Sequence, residues 1–118
     1  MRVTLRRENT YKGEQMSADS ISSVSAATAE TGSRGEREHV RGESFSVHTW
    51  DLANPFRSET HSNSYGHVSY VTEGELYVFD ARGDVRTIAA GDTVYIPAGV
   101  DYSMEGKGGV KTVETRLY

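Results

Sequence analysis

From His39 onward the chain is a series of short apolar and aromatic runs cut by glycine and aspartate. Val40, Phe45, Val47, Trp50 and Leu52 lie in a first strand-rich stretch. GHVSYVT follows, then EG, ELYVFD, ARGD, VRTIAA, GD, TVYIPAG and finally VKTVETRLY. Segments of this length, β-branched and alternating, with turn residues at close spacing, predict an antiparallel sandwich or barrel. Glu73-Gly74 and Arg82-Gly83 read as hairpin turns, because glycine takes a positive φ without steric cost. Pro97 falls just past TVYI, where a missing N–H does least harm to a ladder. After residue 37 no helical periodicity of useful length appears, and there is no internal repeat.

Before residue 37 the texture differs. Val3 and Leu5 alternate with polar residues, as in a short strand. Residues 13–37, GEQMSADSISSVSAATAETGSRGER, are rich in Ser, Ala, Thr, Glu and Gly and almost free of large apolar groups. Such a segment buries too little to offset its ordering entropy. Ile21 and Val24 allow one weak helix over residues 18–30. The expectation is a strand plus a flexible Ser/Ala-rich stretch over residues 1–36, with residues 17–35 as a lid, and a β-barrel over residues 37–118.

Composition narrows the function classes. At 118 residues the chain is sized for one domain with one modest core. A net charge of −4 provides no basic field for nucleic acid. No run approaches the ~20 apolar residues of a membrane span, and no signal-peptide core is present. The absence of cysteine removes disulfides, thiolate metal sites and cysteine nucleophiles. The expectation is a cytoplasmic protein with a small-molecule substrate, without nucleic-acid or membrane partners.

Candidate chemistry concentrates in THSNSYGHVSYVTEGE. His61, Asn63, Tyr65 and His67 alternate, so in an extended run they face one side, with Ser69 continuing that face. The run reads His61-x-Asn63-xxx-His67-xxxxxx-Gly74, and further on the chain reads Gly91-xxxxx-Pro97-Ala98-Gly99-xx-Tyr102. This pair of motifs resembles the cupin pattern H-x-H-xxx-E-xxxxxx-G followed by G-xxxxx-P-x-G-xx-H. The resemblance covers roughly residues 39–117. It implies an all-β, cupin-type double-stranded β-helix (a jelly-roll barrel) and a homodimer. It also implies a divalent metal at four positions, which here are His61, Asn63, His67 and Tyr102. Only one of the four family donors is kept. A reduced set of His61, His67 and Tyr102 leaves open both a zinc, iron or nickel site and a metal-free pocket.

Imidazoles near their ordinary pKa exchange protons at cellular pH, and a phenol can donate to a developing enolate. His61, His67 and Tyr102 are therefore the catalytic candidates, and Asn63, Tyr65, Ser69 and Trp50 the substrate-binding ones. The kit suits a non-redox cyclase, isomerase or lyase acting on a carbonyl compound. The alternative is a small-ligand-binding module without turnover. His39 and His48 fall outside the motifs and read as ordinary polar residues, although His48 falls in an expected strand from which it could face the pocket.

Overall fold

The computed structural model describes residues 30, 31 and 35–118. The strand expected around Val3 and Leu5 lies outside the described residues. So do the weak helix and the lid over almost all their length; Glu30 and Thr31 are described, as strand. The described chain is all-β: β1 (Glu30–Thr31), β2 (Glu36–Arg41), β3 (Phe45–Leu52), β4 (Phe56–Arg57), β5 (Gly66–Glu73), β6 (Glu75–Asp80), β7 (Val85–Ala89), β8 (Thr93–Ile96), β9 (Tyr102–Gly106) and β10 (Val110–Leu117). Among the described residues no helix is long and apolar enough to cross a membrane.

The strands form two facing antiparallel sheets. One has the order β1-β2-β3-β10-β5-β8 and the other β4-β9-β6-β7. Between them pack Val71, Leu76, Val78, Ile88, Ile96 and Tyr102, with Phe56, Val94 and Met104 against the cluster. Their removal from water is the main force holding the sheets together.

The turn at Arg82-Gly83 is a hairpin as expected, because β6 pairs with β7. Its glycine has φ 85°, and the Asp80 carboxylate accepts from the backbone N–H of Arg82 and of Asp84. The turn at Glu73-Gly74 is not a hairpin. β5 pairs with β10 and β8, whereas β6 belongs to the other sheet. Gly74, at φ 77°, is a corner where the chain changes sheets, and a Cβ there would lie 2.7 Å from the carbonyl oxygen of Gly109.

The inner face of the larger sheet is unevenly polar. Near β5 and β8 it carries Val71, Val94 and Ile96. Towards β3 and β2 it carries Ser46, His48, Glu114 and Glu38. Glu114 stands between Ser69 and His48 on its neighbours, and Arg116 between His67 and Ser46. In β3 the polar set Ser46 and His48 is buried while Phe45 and Val47 on the alternate face remain half-buried.

Candidate functional site

Three aromatic rings meet at one end of the barrel. His61 forms an isolated bridge to Tyr102, each backbone N–H donating to the other's carbonyl at 2.9 Å. Direct partners in such a pair project side by side, and the His61 and Tyr102 ring centres are 4.5 Å apart. His67, at the start of β5, lies 5.5 Å from the Tyr102 ring. Tyr102 comes from the smaller sheet, so its ring closes the site from across the barrel. The loop after β8 is tied to the first motif by the Gly99 N–H, which donates to the Asn63 carbonyl.

The members are unequally exposed. His67 is 3% and Tyr102 5% exposed, whereas His61 sits at the surface with Nδ1 2.7 Å from the Glu59 carbonyl. That contact assigns the His61 proton to Nδ1 and leaves Nε2 available. The Asn63 amide donates to the Tyr102 hydroxyl at 2.9 Å. Burial pushes the Tyr102 phenol up to about 12, against the opposing effect of Asn63. The hydroxyl therefore keeps its proton, and with its oxygen already accepting it can donate onward.

His67 is backed by an acidic residue absent from the motif reading. Its Nδ1 lies 2.8 Å from Glu114 Oε2. The Nδ1 axis lies off the line to that oxygen, so the contact is bent rather than straight. The other oxygen, Oε1, accepts from Trp50 Nε1 at 3.0 Å and from Arg116 Nε at 3.2 Å. Burial would raise the Glu114 pKa, but His67, Trp50 and Arg116 outweigh it and hold the carboxyl down to about 2. On its far side His67 presents Nε2, buried and without a hydrogen-bond partner among the described residues. A buried polar atom left open in this way marks a place where a ligand group can complete the bonding.

The substrate-binding candidates take different places. Asn63 touches Tyr102, and Tyr65 sets its ring edge-on to His67 at 6.0 Å. Trp50 orients Glu114, and Ser69 is buried beside Glu114 on the adjacent strand. His48, outside the motifs but in an expected strand from which it could face the pocket, is buried inside the barrel. Its Nδ1 lies 2.7 Å from Glu36 Oε1, and its Nε2 2.7 Å from Ser46 Oγ, which contacts the Tyr118 hydroxyl at 2.9 Å.

Two of the cavities formed by the described residues open on the barrel. One of about 370 Å³ lies over Pro55, Phe56 and Glu105, remote from the three rings. The other, of about 190 Å³, has a floor of Val78, Val94, Ile96 and Tyr102 and a charged margin of Asp84 and Arg86. It reaches Tyr102 and Ile96, the residue opposite His67 on β8, but neither His61 nor His67 lines it. This cavity thus meets the site at Tyr102 rather than at the histidines.

The donor set does not fit a resident divalent ion. Among the described residues no three His, Asp or Glu side chains form a group that could hold a metal ion. Burial raises the Tyr102 phenol and makes it a costly anionic ligand, and Glu114 is committed to Trp50 and Arg116. Two imidazoles and a weakly coordinating amide remain, so only two of the three strong protein donors usual for a catalytic ion are present.

A two-sheet antiparallel barrel with a glycine-cornered strand pair and inward-facing histidine and tyrosine defines a small jelly-roll domain. Residues 51–114 match the family model described as the Cupin domain, and the chain belongs to that family. Similar solved structures include an RmlC-like cupin from Shewanella frigidimarina, with 20% identity, TM-score 0.70, 83% of this chain and 91% of that one covered. KdgF from a Halomonas species is similar at 12% identity, TM-score 0.69 and coverages of 83% and 94%. A putative ethanolamine utilization protein Q from Salmonella typhimurium is similar at 20% identity, TM-score 0.61 and coverages of 82% and 85%. No curated protein matches the chain.

Proposed function

We propose that the chain is a non-redox cyclase, isomerase or lyase acting on a small carbonyl compound, with His67 as general base. The buried, unpartnered Nε2 of His67, with an ionised Glu114 behind Nδ1, carries this reading. A carboxylate at Nδ1 favours the Nδ1–H tautomer and leaves the Nε2 lone pair to accept a proton. Nε2 takes the proton from the carbon next to the carbonyl. The C–H electrons move into the C–C bond, and the carbonyl π pair settles on oxygen as an enolate. The Tyr102 hydroxyl, held by Asn63, donates to that oxygen. Reprotonation at another carbon completes an isomerisation, expulsion of a β-substituent a lyase reaction, and attack on a second carbonyl a cyclisation. His61 Nε2 stands at the surface edge, placed to handle the returning proton.

All three outcomes share the first step, so the test reads that step alone. Small ketones, keto acids and diketones are incubated in D₂O and followed by NMR for deuterium entry beside the carbonyl. Acceleration by the protein is expected with at least one of them. His67→Gln should lower it by roughly 10²–10⁴, and Tyr102→Phe by about 10²–10³. Full exchange in His67→Gln would remove the base assignment. Chelation should leave the rate unchanged; loss restored by zinc, iron or nickel would place an ion in the site. A second reading, a binding module without turnover, is favoured by the displacement of the 190 Å³ cavity from the histidines. Ligand binding with no exchange in any of the compounds would select it.

A further inference from the structure

We propose that Arg116 is the positioning residue that fixes which nitrogen of His67 carries the proton; the inference rests on His67 being the base described above. Arg116 sits on β10 directly between His67 of β5 and Ser46 of β3. Its Nε donates to Glu114 Oε1 at 3.2 Å and its Nη2 to Glu36 Oε1 at 2.8 Å. Each of these carboxylates addresses an imidazole: Glu114 that of His67 at 2.8 Å, Glu36 that of His48 at 2.7 Å. One guanidinium thus spans two carboxylate–imidazole pairs. Its central carbon also lies 5.1 Å over the Tyr65 ring, whose edge meets His67.

The oblique approach of Nδ1 makes this span decisive. An imidazole that does not point at the oxygen does little to fix it in place. Glu114 is instead located through its other oxygen, by Trp50 and Arg116. A planar two-armed donor suits that task, because it supplies direction as well as charge. Arg116 also neutralises both carboxylates it contacts, the buried Glu114 and the partly exposed Glu36. Without Arg116, Oε1 keeps only Trp50, and Glu114 is free to turn Oε2 away from Nδ1. Nothing then holds the ring proton on Nδ1, and Nε2, the atom that must be free to act as base, can carry it instead. Glu36, which accepts from the second arm of the guanidinium, is then the outer half of one device, with His48 and Ser46 behind it.

The test reads the tautomer directly. Protein labelled with ¹⁵N-histidine is examined at neutral pH by long-range ¹H–¹⁵N correlation, with the His67 pattern assigned through His67→Gln. The wild type should show protonated Nδ1 and bare Nε2. Arg116→Gln should shift most of the population to protonated Nε2 and lower deuterium exchange by about tenfold or more. Arg116→Lys keeps the charge but loses the two-armed span, and should give an intermediate share. If Arg116→Gln does not fold, Arg116→Lys alone decides. A wild-type nitrogen pattern in the folded variants overturns the proposal. The nitrogen pattern needs no turnover, so it stands apart from a failure of the exchange assay, which would remove the enzyme reading instead.

Discussion

Glu114 occupies a core-facing strand position, 6% exposed, where an aliphatic side chain would be the cheap solution. A charge there is tolerable only because three groups converge on it: His67, Trp50 and Arg116. Replacing it by Gln keeps the shape but strips the charge that Arg116 faces. Glu114→Gln should therefore lower the urea-derived unfolding free energy by about 2–4 kcal/mol, as expected for breaking a buried ion pair. A loss below about 0.5 kcal/mol would mean the network is solvated in solution. The motif spacing made His61, Asn63, His67 and Tyr102 legible, because glycine and proline positions anchor the register. It could not reveal Glu114 or Arg116, and it left His48 as a strand residue outside the motifs that could face the pocket. In VKTVETRL the two alternate faces are equally mixed, so period two fixes which residues share a face but not which face turns inward. In FSVHTWDL the pattern even misleads, since the inward set holds Ser46 and His48 while Phe45 and Val47 lie opposite.

At the scale of elements, the strands themselves were readable and their partners were not. Glu73-Gly74 shows why. A glycine at positive φ serves a hairpin and a corner between sheets equally well, and the choice is made by distant pairing of β5 with β10. The two uses differ in what surrounds the glycine. A Cβ at Gly74 would meet the Gly109 carbonyl oxygen at 2.7 Å, whereas at Gly91, with φ 93°, nothing lies within 4 Å. Gly91→Ala should cost only the backbone penalty, about 1–2 kcal/mol. Gly74→Ala should cost that plus the displacement of β10, roughly 2–4 kcal/mol in total. Thermal unfolding of the two variants side by side checks the ordering. Equal losses would show that the corner has room to give and that its tightness does not hold the sheets in register.

The molecule as a whole divides its interior between an aliphatic cluster around Val71 and Ile88 and a titratable belt from Glu36 to His67, and this division predicts how it unfolds in acid. Burial, followed by the nearby Arg116 charge, lowers the His48 pKa from its ordinary 6.5, against the pull of Glu114, Glu36 and Glu38. A folded state that resists protonating a histidine loses stability as pH falls below the unfolded value, because the unfolded chain binds the proton more readily. Glu114 acts lower on the scale. Its carboxyl, held to about 2 against an ordinary 4.5, contributes fully above pH 4.5, and that contribution is lost as pH falls from there towards about 2. The size of the depression corresponds to on the order of 3 kcal/mol. Stability should therefore decline in two steps, one starting near pH 6.5 and one below pH 4.5. Denaturant midpoints measured from pH 8 to pH 3 should show His48→Gln flattening the first step and Glu114→Gln the second. A variant lacking His48 that still declines between pH 6.5 and 5 with the wild-type slope would assign that step to another group. The same measurement bears on the site, because His48 and Glu114 are joined through Arg116: a change in the second step on replacing His48 would show that the belt titrates as one unit rather than as separate pairs.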